Sequence, residues 1–422
     1  MGYFPSISSG WIISEEDFFN FGALSFLKLR ASWGLTGNDQ INPLARFGLF
    51  RRNPGFNNNT EQVNILFPNQ LPNPDVKWET VEKIDFGLDF GILQDRISGT
   101  LGYYINNARD IFMDVPLAGS QGNGSPRVAR NIGEFQTTGW EFNLTSSNLI
   151  GDFEWTTNLN LSTVNNEVKN LGGFGPDTFD SGDGGEVRLA VGQPYAFFLV
   201  PFVGVNSENG NALYLDLEGN VTEEFDIANR RLVGSPFPDF FGGITNTFSY
   251  KNFELSVFFN FSVGNKIYNG EGPLQQGGIN NTNQRREILD RWRQPGDVTD
   301  VPKLVTDGFS FDNSTRFLSD GSYLRLKTLT LSYNLPSNLL DNIGLSSARV
   351  FIGGQNLLTF TEYEQGDHEV VRDNQSTLDR NLRSSVTFFT PPQARVYNIG
   401  FNVSFCSPPK MRSAPSSPST LS

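Results

Sequence analysis

The chain is nearly devoid of the residues from which metal centres and most nucleophilic sites are built. It holds one cysteine, Cys406, and one histidine, His368, in 422 residues. An intramolecular disulfide and a Cys/His zinc cluster are therefore excluded. A Ser/His/Asp triad would have to recruit His368, which lies in Glu364-Gln365-Gly366-Asp367-His368-Glu369 and reads as a solvated loop histidine. No catalytic, cofactor-binding or metal residue is assigned, and an enzyme is not expected. No stretch approaches the ~18 consecutive apolar residues of a spanning helix. Only 18% of residues are charged and the net charge is −13, so nucleic acid is not an expected partner. The amino end, MGYFPSISSGWIISEEDFFN, lacks a basic region, an apolar region and a small-residue cleavage site, and is not a secretory signal peptide.

What is plentiful points to strands. Aromatics make up 13%, with 38 Phe, and there are 43 Gly. Apolar and polar residues alternate with a period of two over many short stretches. Phe153, Trp155, Thr157, Leu159 and Leu161 oppose Glu154, Thr156, Asn158, Asn160 and Ser162. Phe253, Leu255, Val257, Phe259 and Phe261 oppose Glu254, Ser256, Asn260 and Ser262, with Phe258 out of step. About ten strands follow, at 23–35, 80–92, 97–107, 134–146, 153–164, 240–250, 253–263, 322–334, 348–360 and 394–405.

The connections alternate in length. Short or medium ones lie near 93–96, 147–152, 251–252 and 335–347, and long ones at 36–79, 108–133, 165–239, 264–321 and 361–393. In an up-and-down sheet this sorts long loops to one end and tight turns to the other, as in transmembrane β-barrels. One face is apolar for lipid and the other carries Asn, Ser, Thr, Asp and Gly for a wet lumen. The fold class is all-β, an antiparallel transmembrane β-barrel. Asn-x-Ser/Thr triplets at Asn143, Asn160, Asn260 and Asn402 read as small polar residues sharing one strand face, not as glycosylation sites. Residues 406–422, CSPPKMRSAPSSPSTLS, break the alternation and read as a disordered Ser/Pro-rich tail, with a changed reading frame as one origin. Residues 1–405 read as barrel.

Several sequence blocks, in order, resemble SusC/RagA-type TonB-dependent outer-membrane receptors. They include Phe4-Pro5-Ser6 with Gly10-Trp11, Leu27 to Gly34, Asn73 to Glu79, Thr138-Gly139-Trp140-Glu141 and Ser322 to Lys327. Gly354 to Phe360 and Gly400 to Phe405 complete the series. The resemblance implies an importer of glycans or peptides, a barrel of roughly 22 strands closed by a plug, a SusD-like surface lipoprotein as partner, and energy from TonB. It also implies the outer membrane of a Gram-negative bacterium, with lipid around the barrel. The plug, the TonB-contacting segment and about twelve strands have no counterpart here, so a carboxy-terminal barrel fragment is the expectation, with TonB contact only through the missing amino-terminal region. The last strand, with Tyr397, Ile399, Phe401, Val403 and Phe405, resembles the segment read by the barrel-assembly machinery.

Outside the strands, Trp292 and the pair Tyr195 and Phe198 are candidate substrate-contacting aromatics, with packing of the loops as the competing role. Asp216, Glu218 and Asn220, with Asp226 nearby, form a weak calcium-like pattern, although the order departs from an EF-hand and a solvated turn explains it equally. Trp33, Tyr103, Tyr250 and Tyr333 near strand ends fit interfacial girdles. Two rival readings stand beside the importer. One is a gene remnant without transport activity, which would aggregate through unpaired strand edges. The other is a soluble all-β binding protein, which detergent-free solubility would reveal.

Overall fold

The computed structural model describes residues 2–39, 44, 46–56, 62–116, 127–175, 186–276, 283–305, 313–340, 345–369 and 385–405. The tail at 406–422 lies outside them. Eleven strands form an antiparallel meander in which each pairs with its neighbours in sequence. They are β1 (Ser6–Ile12), β2 (Leu24–Asn38), β3 (Glu79–Ile92), β4 (Ile97–Pro116), β5 (Arg127–Leu149) and β6 (Phe153–Ser162). β7 (Phe240–Tyr250), β8 (Phe253–Val263), β9 (Tyr323–Asn334), β10 (Leu345–Thr361) and β11 (Val396–Phe405) complete this path; Leu49–Phe56, Gln62–Leu71 and Asn165–Leu171 join the same 14-stranded sheet off it, the last two against β5. β1 and β11 are its two open edges.

The register explains why alternation along each strand becomes two chemically distinct faces. Trp11, Leu29, Leu88, Leu101, Phe142, Leu161, Gly242, Phe261, Leu324 and Phe360 are successive cross-strand partners from β1 to β10, without one polar member. One residue along lies the opposite row: Lys28, Asp89, Thr100, Asn143, Asn160, Gly243, Asn260, Arg325 and Thr359. Three of the Asn-x-Ser/Thr asparagines thus belong to one polar ladder. The apolar face stays uncovered, with Phe86 53% and Ile399 78% exposed. Such a continuous apolar surface marks a face that is covered in use, and its width suits lipid. Strands of 10 to 12 residues, as in β6 to β9, match the ~9–11 needed to cross the hydrocarbon layer at a tilt.

Aromatic residues gather near the edges of this face. Phe153, Tyr250, Phe253 and Tyr333 are consecutive cross-strand partners beside the tight turns, and Tyr103 packs on Trp140 at 4.8 Å. Asn246 is a polar intruder on the apolar face. Its carbonyl oxygen accepts from Trp155 Nε1 (2.9 Å) and Thr157 Oγ1 (2.7 Å), which satisfies that acceptor without water. Phe258 breaks the pattern in the other sense: its ring lies over Gly243, where a Cβ would stand 2.7 Å from Phe258 Cε2.

Four sequence expectations need correction. Residues 36–79 and 165–239 are not simply connections, since they hold the strands off the main path. Ser6–Ile12 is an additional strand; its Ser8-Ser9-Gly10 centre hides the alternation of Ile7 and Trp11. Residues 108–133 are not simply a loop. β4 continues to Pro116 and β5 begins at Arg127, with register shifts between Ala108 and Phe112 where the hairpin rises beyond the sheet. Asp110 takes φ +57° there.

This extension has a purpose in packing, because the buried hydrophobic core lies among the long connections and not on the sheet. Met113, Val115 and Val128 from the β4–β5 hairpin meet Val168, Leu171, Val187, Leu189, Tyr195, Phe197 and Leu199 from the β6–β7 connection. Tyr268 and Phe317 from the β8–β9 connection and Val386 from the β10–β11 connection close the cluster. Four connections thereby form one cap above the sheet. Two contrasting substitutions test the face assignment. Leu255→Arg on the apolar face should destabilise the sheet in bilayers by about 2–4 kcal/mol, whereas Thr247→Arg on the polar face should change it little. Denaturant titration in liposomes measures both, and equal costs would refute the assignment.

Candidate functional site

The polar ladder ends in a charged cluster where β8, β9 and β10 meet the cap. β9 reads Leu324-Arg325-Leu326-Lys327-Thr328-Leu329, and its pairing with β8 and with β10 shifts register around Lys327. On β10 the shift is absorbed at Asn356, with φ +54°, a left-handed conformation that asparagine tolerates. Across this bulge Arg325 and Lys327 reach the same carboxylate.

That carboxylate is Glu369, from the segment joining β10 to β11. Its Oε1 accepts from Asn260 Nδ2 (2.6 Å) and the Tyr323 hydroxyl (3.3 Å). Its Oε2 accepts from Arg325 Nη1 (2.6 Å), Lys327 Nζ (2.5 Å) and Gln393 Nε2 (3.0 Å). Asp367 takes the other side of the guanidinium, accepting from Arg325 Nη2 (3.1 Å) and from the backbone N–H groups of Gln393 (2.9 Å) and Glu369 (2.8 Å). The Arg325 and Asp367 side chains are 5% and 3% exposed. Two cations and two carboxylates balance, which is what a buried ionic group requires.

His368 corrects a sequence expectation. It is buried, with its ring 4.1 Å from that of Tyr323. Burial pushes its imidazole down to about 4, and Arg325 adds to the effect. Burial opposes the Asp367 carboxylate, but the N–H groups of Gln393 and Glu369 and the Arg325 guanidinium outweigh it and hold the group below its ordinary value. Glu369 is likewise lowered, burial being outweighed chiefly by Lys327. Next to this cluster, Glu271 accepts from Arg285 Nη2 (2.9 Å) and the Thr387 hydroxyl (3.1 Å). Asn269 donates to Gln365, which ties the same connections together.

The candidate aromatics sit elsewhere. Tyr195 is in the cap core, edge-on to Phe237 at 5.8 Å. Phe198 lies under the Arg188 guanidinium at 4.3 Å, with Arg230 at 5.6 Å. Trp292 donates from Nε1 to the Ser207 carbonyl (2.9 Å) and packs on Gly210, where a Cβ would stand 2.4 Å from its ring. Asp216 holds Asn220 through the backbone N–H (2.7 Å) and the side-chain amide (3.0 Å), closing a turn. No cluster of three or more His, Cys, Asp or Glu placed to hold a metal occurs among the described residues. Tyr397, Ile399, Phe401, Val403 and Phe405 all face the apolar side of β11. The Glu369 cluster was not singled out from the sequence, since its members are spread from Asn260 to Gln393; Arg325 and Lys327, charged within an otherwise uncharged strand, were the available signal.

The titrations share one direction. His368 is depressed, so below about 6.5 the unfolded or detached segment takes a proton that the packed one refuses, and stability falls until pH passes about 4. The two depressed carboxylates lose their contribution as pH falls below their ordinary range. Acidification from pH 7 to 4 should therefore loosen 362–369, with His368 alone contributing about 3 kcal/mol. The protection factors of this segment, taken relative to the intrinsic exchange rate at each pH, should fall across that interval in the native chain. In His368→Phe the part between pH 6.5 and 4.5 should vanish; an unchanged profile would refute the assignment.

The comparisons with known proteins agree with this geometry. A family model described as TonB dependent receptor-like, beta-barrel, matches residues 2–357. TonB-dependent receptor P3 of Formosa agariphila is 32% identical over 430 residues, covering 96% of this chain and 42% of its own length. TonB-dependent receptor SusC of Bacteroides thetaiotaomicron is 27% identical, with 96% and 40% covered. The RagAB peptide importer in its open-open state superposes with a TM-score of 0.77 at 25% identity, over 96% of this chain and 43% of that one. The chain thus spans about two fifths of the length of the relatives it matches. With the model covering most of the sheet, the chain belongs to the TonB-dependent receptor-like β-barrel family.

Proposed function

We propose that the chain forms part of the wall and the outer cap of a TonB-dependent importer of oligomeric nutrients, glycan or peptide, in a bacterial outer membrane. One observation carries this reading: a continuous apolar row and a continuous polar row run through the same strands, with the long connections at one end. The apolar face suits lipid and the polar ladder suits a hydrated passage. The relatives bear names of receptors and of a peptide importer, and none the name of an enzyme.

The cap is the side from which cargo would enter, and it is where a SusD-like surface lipoprotein would sit. Two connections are braced together in the cap: Gly296 N–H donates to the Ser207 carbonyl (2.8 Å) and Lys303 N–H to the Gly210 carbonyl (3.0 Å). With Trp292 seated on Gly210, they present a single rigid rim. Deleting 286–301 should therefore reduce co-purification of the lipoprotein several-fold while the sheet still inserts. Pull-down from outer membranes of a host expressing both proteins measures this. Undiminished recovery would remove the cap from the lipoprotein contact.

A further inference from the structure

The residues around Glu369 differ in origin. Asn260, Tyr323, Arg325 and Lys327 belong to β8 and β9, where the register fixes them: Asn260 pairs with Arg325 and Ser262 with Tyr323. Glu369 belongs to the segment between β10 and β11. The donors are thus set by the wall, while the acceptor is brought to them by a connection. A carboxylate can accept about four hydrogen bonds, and five donors converge on this one. If Glu369 moved away, Arg325 and Lys327 would face Asp367 alone and one positive charge would be uncompensated.

The place is also incompletely satisfied. The Asn260 carbonyl oxygen and His368 Nε2 are buried without a hydrogen-bond partner among the described residues. The Asn260 oxygen is on the same amide that donates to Glu369, so a group replacing Glu369 would have an acceptor beside its carboxylate. On the other side the cluster is open, since the Lys327 and Glu369 side chains remain 31% and 22% exposed.

We propose that the β8–β9 wall carries a carboxylate-binding subsite of the passage, occupied at rest by Glu369, and that cargo bearing a carboxylate exchanges with it. This rests on the importer reading above. The fitting ligand has a carboxylate with a hydrogen-bond donor close by, as at the carboxy terminus of a peptide or on a uronic acid. Because the ligand and Glu369 compete for one set of donors, binding and release of the 362–369 segment are linked in both directions.

The test is calorimetric titration of the full chain refolded in detergent, its strand content first checked by circular dichroism. Probes are N-acetyl-triglycine and its carboxy-terminal amide, and tri-galacturonate and its methyl ester. An acid should bind at least tenfold tighter than its neutral partner. Glu369→Gln should tighten the acid at least tenfold and leave the neutral probe unchanged. Lys327→Met, a change at a partly exposed side chain, should weaken it at least tenfold in both backgrounds. Binding of the peptide acid alone identifies a chain terminus as the source, and binding of galacturonate alone a glycan; either supports the subsite. Equal affinity for acid and neutral probes, or no response to Glu369→Gln, overturns it. Uptake by cells is read separately: acid binding without import of either probe class leaves the subsite standing and removes the importer reading, whereas import without acid preference removes the subsite alone.

Discussion

Backbone hydrogen bonding in a medium without water is the constraint on which the rest depends. Every peptide group that crosses lipid must be paired inside the protein, and a spanning sheet meets this through its ladders. The nine inner strands do so on both sides and β1 and β11 on one, from Ser6 against Gly34 to Gln355 against Val396. Once ladders are obligatory, side chains have only two directions, and each strand must divide its chemistry between them. The long apolar row from Trp11 to Phe360 and the polar row from Lys28 to Thr359 are both products of that division. Departures are handled locally: Asn246 is satisfied by Trp155 and Thr157, and Phe258 is accommodated by Gly243.

A sheet with one face left for lipid and the other lined by polar groups cannot hold its hydrophobic core between layers. The buried core is displaced to the end of the sheet, where β4 and β5 extend past their neighbours and gather three other connections. This makes the cap a folded body in its own right and not a set of independent loops. It also explains why Tyr195 is a core residue, while Trp292 serves as a brace across two connections.

The strands were legible because alternation is a local property. Phe153 to Ser162 and Phe253 to Val263 have nearly the bounds that their patterns suggest. Ser6–Ile12 was harder to see because three small residues occupy its centre. The extension of β4 and β5 was hidden for another reason: Met113, Val115 and Val128 are buried by residues far along the chain, so their strand character depends on the cap. The doubled polar pair Lys327-Thr328, where the alternation of β9 slips, is the local trace of its bulge. The Glu369 cluster was illegible, since Asn260 and Glu369 stand 109 positions apart and only the fold makes them neighbours. Separation along the chain likewise hid His368, which lies against Tyr323 of the wall.

The bulge and the charged cluster belong together. A strictly alternating β9 would place Arg325 and Lys327 on one face at a fixed spacing, with a leucine at the position of Thr328 if the alternation were to continue outward unchanged. The inserted residue instead resets the phase, so that Leu329 and Leu331 return to the apolar face while the cations keep the polar one. The strand thus carries two positive charges without presenting either to lipid, where an unpaired charge is costly. That arrangement requires anions on the polar side, and Asp367 and Glu369 supply them from the connection above. Local phase, membrane exclusion of charge and the docking of 362–369 are therefore one linked condition, and a change in any of them must be answered by the other two.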